Sequence, residues 1–453
     1  MATIHNKLFD EINVGDTASM QRTFQAHDMR AWFSAFGDSA VPVEGGTTQD
    51  AAGIVTAMLS ALVGSVLPGP GSSILSIVVR ICAALPINSA VTVHLNVQKK
   101  SAPDRLVTLG GECVDHAGQA VATAILEVEV PATRVQRDVA AHRLEKLIEQ
   151  CQGLPAMLTG VVHPCSAEAL AGAIDAAQAG LIVPVLFGPE SQLRQIAGAA
   201  RLDLTPYRIV STDSAEDSAT KAVFAAGKGE VQALMKGSLH TDVLLHAVMQ
   251  KESTLHTGHL LSHCALVSVP TYARRVIITD AALNIAPDTD QKRGICQNAI
   301  GFAIALGIKV PKVAVLAAIE MVNTKMPATL DGAILAKMAD RGQIVGGIVD
   351  GPLDLDAAVD ADAARIKHIV SPVAGWADVL VAPNIEAANM IYKDLGFMAD
   401  AQSAGLVVGA RVPIILTSRA DSAATRLYSA AVAVLYADAL KRDAANILPE
   451  PAE

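Results

Sequence analysis

At 453 residues the chain is long enough for two or three domains. Apolar residues make up 51% and charged residues 18%, so sizeable cores are expected; with aromatics at only 3%, aliphatic side chains must pack them. A net charge of −10 argues against a nucleic-acid partner, which needs a broad basic face, but leaves room for local basic pockets that hold phosphate-bearing metabolites.

Residues 1–15 carry His5, Lys7, Asp10 and Glu11 and have no apolar core, so no signal peptide is expected. Residues 51–79 hold no charge and reach the length of a membrane span. Ser60, Gly64, Ser65 and the Pro68-Gly69-Pro70-Gly71 turn interrupt them, so residues 51–67 read as a buried helix and no membrane contact is expected. Strand-like runs follow at 73–82, 90–99, 106–114 and 120–130, separated by polar turns. One long helix before a meander predicts an α+β hot-dog domain over 1–133. Residues 134–152 are charged and helical in pattern and read as a linker helix.

Beyond residue 160, helix-period segments alternate with short apolar strands at 182–188, 207–210, 275–279, 313–318, 344–350, 379–382 and 412–416. That alternation predicts an α/β, mostly parallel sheet covered by helices. About 300 residues exceed one compact unit. Two lobes with a cleft between them are expected: 153–260 plus 406–453, and 261–405. The six cysteines (Cys82, Cys113, Cys151, Cys165, Cys264 and Cys296) include no Cys-x-x-Cys pair. They read as thiols of a cytoplasmic protein, with no disulfide and no metal site.

Polar residues gather where these strands end. The run 412–416 delivers Ser418 and Arg419 to the start of a helix marked by Leu427, Ala431 and Val434, with Asp421 or Ser422 as its N-cap. An arginine beside a hydroxyl at such a point suits an anion; a capped helix with a solvated arginine is the alternative. Lys236-Gly237 and His240-Thr241 offer a cation, a flexible glycine and donors before another helix. Asp280 and Asn284 follow the strand 275–279, as ligands or as a cap. Asp350 and Gly351 end a further strand, with Asp350 and Asp356 holding a polar substrate or capping. Ser371 and Gly375 lie in a loop of small residues that lets a bulky ligand approach the backbone. Asn384 and Asn389 close the series.

Two family resemblances emerge from these residues. F-D-E-I-N-V-G-D, A-F-G-D at 35–38, A-M-L-S at 57–60 and L-P-I-N-S-A-V-T-V at 85–93 resemble the MaoC-type enoyl-CoA hydratases. Those enzymes use D-x-N-P-x-H. Asp38 matches its first position, but Ala40 stands at the asparagine and Val43 or Glu44 at the histidine. His27 lies upstream and reads as a surface residue. Half of the acid–base pair is missing, so the resemblance implies a catalytically silent domain kept for dimerisation or for holding CoA thioesters.

The set K-G-x-x-H-T, T-D-A-A-x-N-I-x-P-D, D-G-P-L-x-x-D-A-A, S-P-V-A-G-x-A-D-V-L-V-x-P-N-x-E-A-x-N and T-S-R-A-D-S, in that order, resembles the phosphate acetyltransferase and phosphate butyryltransferase family over residues 145–440. With its leader the chain is similar to proteins described as bifunctional enoyl-CoA hydratase/phosphate acetyltransferases. The resemblance implies a two-lobed fold shared with isocitrate and isopropylmalate dehydrogenases and a homodimer or higher homo-oligomer. It implies the reaction acyl-CoA + phosphate = acyl phosphate + CoA, with these substrates and no tightly bound cofactor. Arg419 is expected to grip phosphate or CoA, and Ser418 to stabilise the carbonyl or sulfur as charge builds. Some acetyltransferases carry an aspartate seven residues after that serine; here the position is Thr425, and Asp421 lies three after. The alternatives are an NADP-dependent decarboxylating dehydrogenase, with Asp350, Asp354 and Asp356 as metal carboxylates, and a non-catalytic acyl-CoA-binding scaffold.

Overall fold

The computed structural model describes residues 2–24, 43–44, 47–48, 51–139, 144–418 and 421–449. The chain divides into two units, residues 1–140 and 141–453.

The first unit contains Ala2–His5 (β1), Thr17–Thr23 (β2), Val43–Glu44 (β3), Thr47–Thr48 (β4), Ser73–Ile81 (β5), Leu85–Pro86 (β6), Ala90–Ser101 (β7), Leu106–Asp115 (β8), Ala120–Glu129 (β9) and Gln136–Val139 (β10). Five of these make an antiparallel sheet in the order β2-β7-β8-β9-β5. The helix Ala51–Ser65 buries Ala51, Ile54, Val55, Met58, Leu59, Leu62 and Val63. They meet the alternating Val91, Val93, Leu95 and Val97 of β7 and Leu126 and Val128 of β9 in one core. A Cβ built on Gly111 would lie 2.9 Å from Leu59 Cδ2, so the helix rests directly on that strand. Leu59→Ala would cost about 2–5 kcal/mol in such a core. The uncharged residues 51–79 are this helix, the turn after it and most of the edge strand β5. No helix among the described residues is long and apolar enough to cross a membrane.

The linker helix expected over 134–152 needs correction. Gln136–Val139 pairs with Ala2–His5 and belongs to the first unit, which therefore extends past residue 133. Among the described residues of that range, only Glu145–Gln150 is helical. A charged run has no intrinsic commitment to helix when a strand edge can take its backbone bonds.

The second unit is built on Met157–Val162 (β11), Ile182–Gly188 (β12), Arg208–Ser211 (β13), Ala233–Lys236 (β14), Ser262–Ser268 (β15), Arg275–Thr279 (β16), Lys312–Leu316 (β17), Ile348–Leu353 (β18), Val379–Val381 (β19), Gln402–Val408 (β20) and Ile414–Ile415 (β21). They form one 11-stranded sheet in the order β13-β12-β11-β14-β21-β20-β15-β16-β19-β17-β18. Pairing is parallel within β13-β12-β11-β14-β21 and within β16-β19-β17-β18, and antiparallel through the central β21-β20-β15-β16. The strands of 153–260 thus lie on one side and those of 261–405 on the other, with β20 and β15 between. The helix Ala423–Arg442 is buried along most of its length, including Tyr428, Ala430, Ala431, Val432, Ala433 and Tyr436. Its run of alanines lets the backbone pack close to the sheet.

Candidate active site

Two adjacent parallel strands, β14 and β21, deliver their carboxyl ends to one place. A cavity of about 440 Å³ opens there. It is lined from β14 onward by Lys236, Leu239, His240 and Thr241, and from β21 onward by Leu416, Thr417, Ser418 and Asp421. His263 of β15, Ala281 and Ala282 after β16, and Asn389, Tyr392 and Lys393 of the helix Ile385–Met398 complete it.

The floor is built by local rules. Lys236 is only 7% exposed, and its Nζ donates to the carbonyls of Gly237 and Leu239, both at 3.3 Å. A Cβ on Gly237 would lie 2.4 Å from the Val162 carbonyl oxygen and 2.6 Å from that of His163, so only glycine lets β14 leave the sheet there. On the other side Asp421 Oδ2 accepts the Ser418 N–H at 2.6 Å. Ser422, not Asp421, is the N-cap, its Oγ accepting from Thr425 N–H at 3.1 Å. Arg426, unmarked by any sequence signal used above, is 9% exposed and sends Nη1 to Thr417 Oγ1 at 3.2 Å and Nη2 to the Ser418 carbonyl at 3.1 Å. Its stem lies where a side chain on Gly172 would fall, 2.7 Å from the Cδ. The exposed Ser418 is therefore held by its own backbone on both sides. Arg419 lies outside the described residues.

Six of the residues singled out in the sequence meet at this cavity: Ser418, Asp421, Lys236, His240, Thr241 and Asn389. Asp280 and Asn284 stand just behind it. Asp280, 4% exposed, accepts the N–H groups of Ala282 and Leu283 at 3.0 Å and the Asn284 amide at 2.6 Å. It closes a turn and caps no helix; the next cap is Asp288, in a capping box with Gln291.

The remaining five strand-end candidates lie elsewhere. Asp350 and Gly351 are inside β18, and Asp350 Oδ1 accepts the Gly351 N–H at 2.8 Å. A Cβ on Gly351 would meet the Val315 carbonyl oxygen at 2.8 Å, so this glycine serves strand packing. Ser371 Oγ accepts from Val373 and Ala374 N–H groups in a turn. At Gly375 the close neighbour is Ala361, 2.5 Å from a built Cβ, so its openness admits a helix and not a ligand. Asn384 caps the helix Ile385–Met398 through Ala387 N–H at 2.9 Å. Local turn and cap chemistry mimics a ligand shell in sequence, because both need short polar side chains and glycine.

Sequence reasoning missed His263, Tyr392 and Lys393. His263 is the second residue of a strand, and the two others sit inside a helix where an aromatic and a lysine are unremarkable. Burial pushes the His263 imidazole below its ordinary pKa, partly opposed by Asp280 and Asp421 and reinforced by Lys393. Tyr392, its hydroxyl 3.1 Å from Ser403 Oγ, has its pKa raised, chiefly by burial. The carboxylates Glu320, Asp354 and Asp356, whose oxygens lie close enough together for a cation, are bridged by Lys367 Nζ, with Glu320 at 2.7 Å and Asp356 at 2.6 Å. Asp350 takes no part.

Comparison with known proteins matches this geometry to a family. The profile described as "Phosphate acetyl/butaryl transferase" covers residues 208–434, which include every lining residue of the cavity. The chain is 49% identical over 305 residues to a phosphate acetyltransferase of Rhizobium meliloti, spanning 67% of this chain and 96% of that protein. The chain belongs to the phosphate acetyl/butyryltransferase family. It is also 40% identical over 297 residues to a phosphate butyryltransferase of Clostridium beijerinckii, 66% of this chain and 98% of that one. The crystal structure of a branched-chain phosphotransacylase from Enterococcus faecalis aligns with a TM-score of 0.55 at 30% identity, over 62% of this chain and 99% of that one.

Proposed function

We propose that this protein transfers a short acyl group between CoA and phosphate: acyl-CoA + phosphate = acyl phosphate + CoA. The observation that carries the reading is the cavity where β14 and β21 end, inside the matched family region. Family members use a CoA thioester and phosphate as substrates without a tightly bound cofactor. About 440 Å³ falls within the range of small-molecule pockets. It suits an acyl group, a thioester sulfur and a phosphate.

Lys236 and Lys393 supply positive charge for phosphate oxygens. Ser418 donates to the carbonyl oxygen or the sulfur as charge builds there. Arg419, next in sequence, is assigned the phosphate or CoA grip, since a guanidinium offers two parallel bonds. Asp421 positions Ser418 through its backbone. Holding the two reactants side by side supplies much of the acceleration.

The finer parts of the reading are the two-lobed, dehydrogenase-like architecture, a cytoplasmic homo-oligomer and a hot-dog leader. The segregation of strands about β20 and β15 supports the first. Six free cysteines and the exposed Met390, Phe397 and Met398 support the second. One helix on a five-stranded antiparallel sheet supports the third. The leader's Asp38 lies outside the described residues, as does His27. With Val43 or Glu44 at the histidine position, the full chain is expected to hydrate crotonyl-CoA no faster than background.

The dehydrogenase alternative loses its metal site to Lys367. Phosphate-dependent CoA release from acetyl-, propionyl- and butyryl-CoA tests the main reading. Turnover with any of them supports it and ranks the acyl groups. Silence with all three, together with NADPH formation from a hydroxy acid, would replace it with the dehydrogenase.

A further inference from the structure

A buried histidine, the second residue of β15, lines the cavity. His263 is 5% exposed, and its Nδ1 has no hydrogen-bond partner among the described residues. A buried polar atom left unpaired loses its water without replacement, so it calls for an explanation. The space around the ring is specific. A Cβ on Gly405 of β20 would fall 2.8 Å from His263 Nε2 and 3.1 Å from the Leu416 carbonyl oxygen. Glycine at 405 thus makes room for the imidazole beside the strand end that leads to Ser418. The Tyr392 ring stands edge-on to it, with centroids 6.4 Å apart. The charged groups that face it are Asp280, Asp421 and Lys393.

The transfer needs a group of this kind. In the direction of acyl-CoA synthesis the CoA thiol must lose a proton and the departing phosphate must gain one. The position at which some relatives carry an aspartate is Thr425, which cannot serve as a base at neutral pH and does not line the cavity.

We propose that His263 is the catalytic residue that carries this proton between thiol and phosphate, an inference that rests on the acyltransfer reading. The thiol S–H bond breaks and its proton passes to a ring nitrogen of His263. The sulfur electron pair attacks the acyl carbon, the C–S bond forms, and the carbon–oxygen bond to phosphate breaks. The imidazolium then returns the proton to the leaving phosphate, so the enzyme ends in its starting state. The reverse reaction runs through the same steps backwards. A neutral resting imidazole is required, and burial together with Lys393 favours that form.

The test measures CoA consumption with acetyl, propionyl and butyryl phosphates in wild type, His263→Gln and His263→Ala. Loss of a proton-transfer group is expected to lower kcat by about 10²–10⁴ with KM little changed. Wild-type kcat/KM should fall in acid with a limb below pH 6.5, and His263→Gln should lose that limb. Free imidazole should restore part of the turnover of His263→Ala. A purely structural role would shift melting without moving the acid limb. Wild-type turnover with a His263→Gln kcat within threefold and the same acid limb would overturn the proton role and leave the acyltransfer reading standing. Silence of the wild type would bring down both. If neither variant folds, the wild-type profile decides: a limb below pH 6.5 supports the role, and a rate that stays flat in acid until the fold itself is lost overturns it.

Discussion

Lys236-Gly237 and Asp350-Gly351 are the same kind of pair, a charged residue of a parallel strand followed directly by a glycine. Each glycine permits a close approach, of Gly237 to the Val162 carbonyl and of Gly351 to the Val315 carbonyl. Their outcomes differ because of what the chain does next. After Gly237 it leaves the sheet and turns into the helix Thr241–Met249, which opens a cavity beside the equally abrupt end of β21. After Gly351 the strand continues to Leu353, so Asp350 has only a neighbouring N–H to accept. A charged residue becomes part of a site when two strands end together, and a packing residue when its strand runs on.

This contrast can be broken by substitution. Of the substitutions at these strand ends, Ser418→Ala should have the largest effect. Removing one donor aimed at developing charge lowers kcat by about 10²–10³, and melting should be unchanged because Ser418 is held through its backbone. Unaltered kcat in steady-state assays would remove Ser418 from the chemistry. Arg419 comes second. Losing a charge-assisted pair worth about 2–3 kcal/mol raises the KM for phosphate or CoA roughly thirty- to a hundredfold in Arg419→Ala. Arg419→Lys should fall between, since one point charge replaces two parallel bonds. Varying each substrate in turn shows which is gripped; constants equal to wild type for both would leave a solvated arginine.

On the other side of the contrast, Gly351→Ala should leave turnover per folded molecule unchanged while lowering stability. Its new methyl would sit 2.8 Å from the Val315 carbonyl oxygen and 2.9 Å from the Val315 Cβ. Forcing a methyl into a packed core costs about 1–3 kcal/mol. Denaturant unfolding paired with kinetics reads both quantities. A fall in kcat at wild-type stability would place residues 350–351 in the cleft after all.

Much of this fold was legible beforehand because its signals are local. The helix at Ala51–Ser65 and the strands at 73–81, 90–101 and 182–188 follow from apolar runs and periodicity. Like β11 and β14, the strands β15 and β20 are absent from the sequence reading. Both are fully or largely buried runs of small and aliphatic residues, where neither alternation nor a helical stripe appears. Their antiparallel pairing is what joins the two parallel halves. In the site, Ser418 and Lys236 were visible because strand-end polar residues stand out in an apolar chain. His263 was not, because its place in the cavity depends on β20 passing alongside with a glycine at 405, a non-local fact. Asn384 and Ser371 illustrate the opposite failure, in which caps and turns carry the same residue types as ligand shells.

The smallest effect is expected at Thr425, the position where some relatives carry an aspartate. Its N–H donates to Ser422 Oγ, its Oγ1 lies 3.1 Å from the same hydroxyl, and its carbonyl accepts from Ser429 Oγ at 2.7 Å. Ser429 Oγ in turn accepts the Gly405 N–H at 3.0 Å. Thr425 thus belongs to the first turn of the helix Ala423–Arg442 and its anchorage to β20. Thr425→Ala keeps both backbone bonds and deletes one hydroxyl contact, worth about 0.5–1.5 kcal/mol. Turnover should fall by less than about tenfold, the equivalent of 1.4 kcal/mol. Thr425→Asp sharpens the point: a carboxylate restored there should not raise kcat if the proton already travels through His263. A loss above about a thousandfold in Thr425→Ala, more than one hydrogen bond supplies, would show that the threonine hydroxyl touches the reacting atoms. The first helical turn would then have to be redrawn as part of the site.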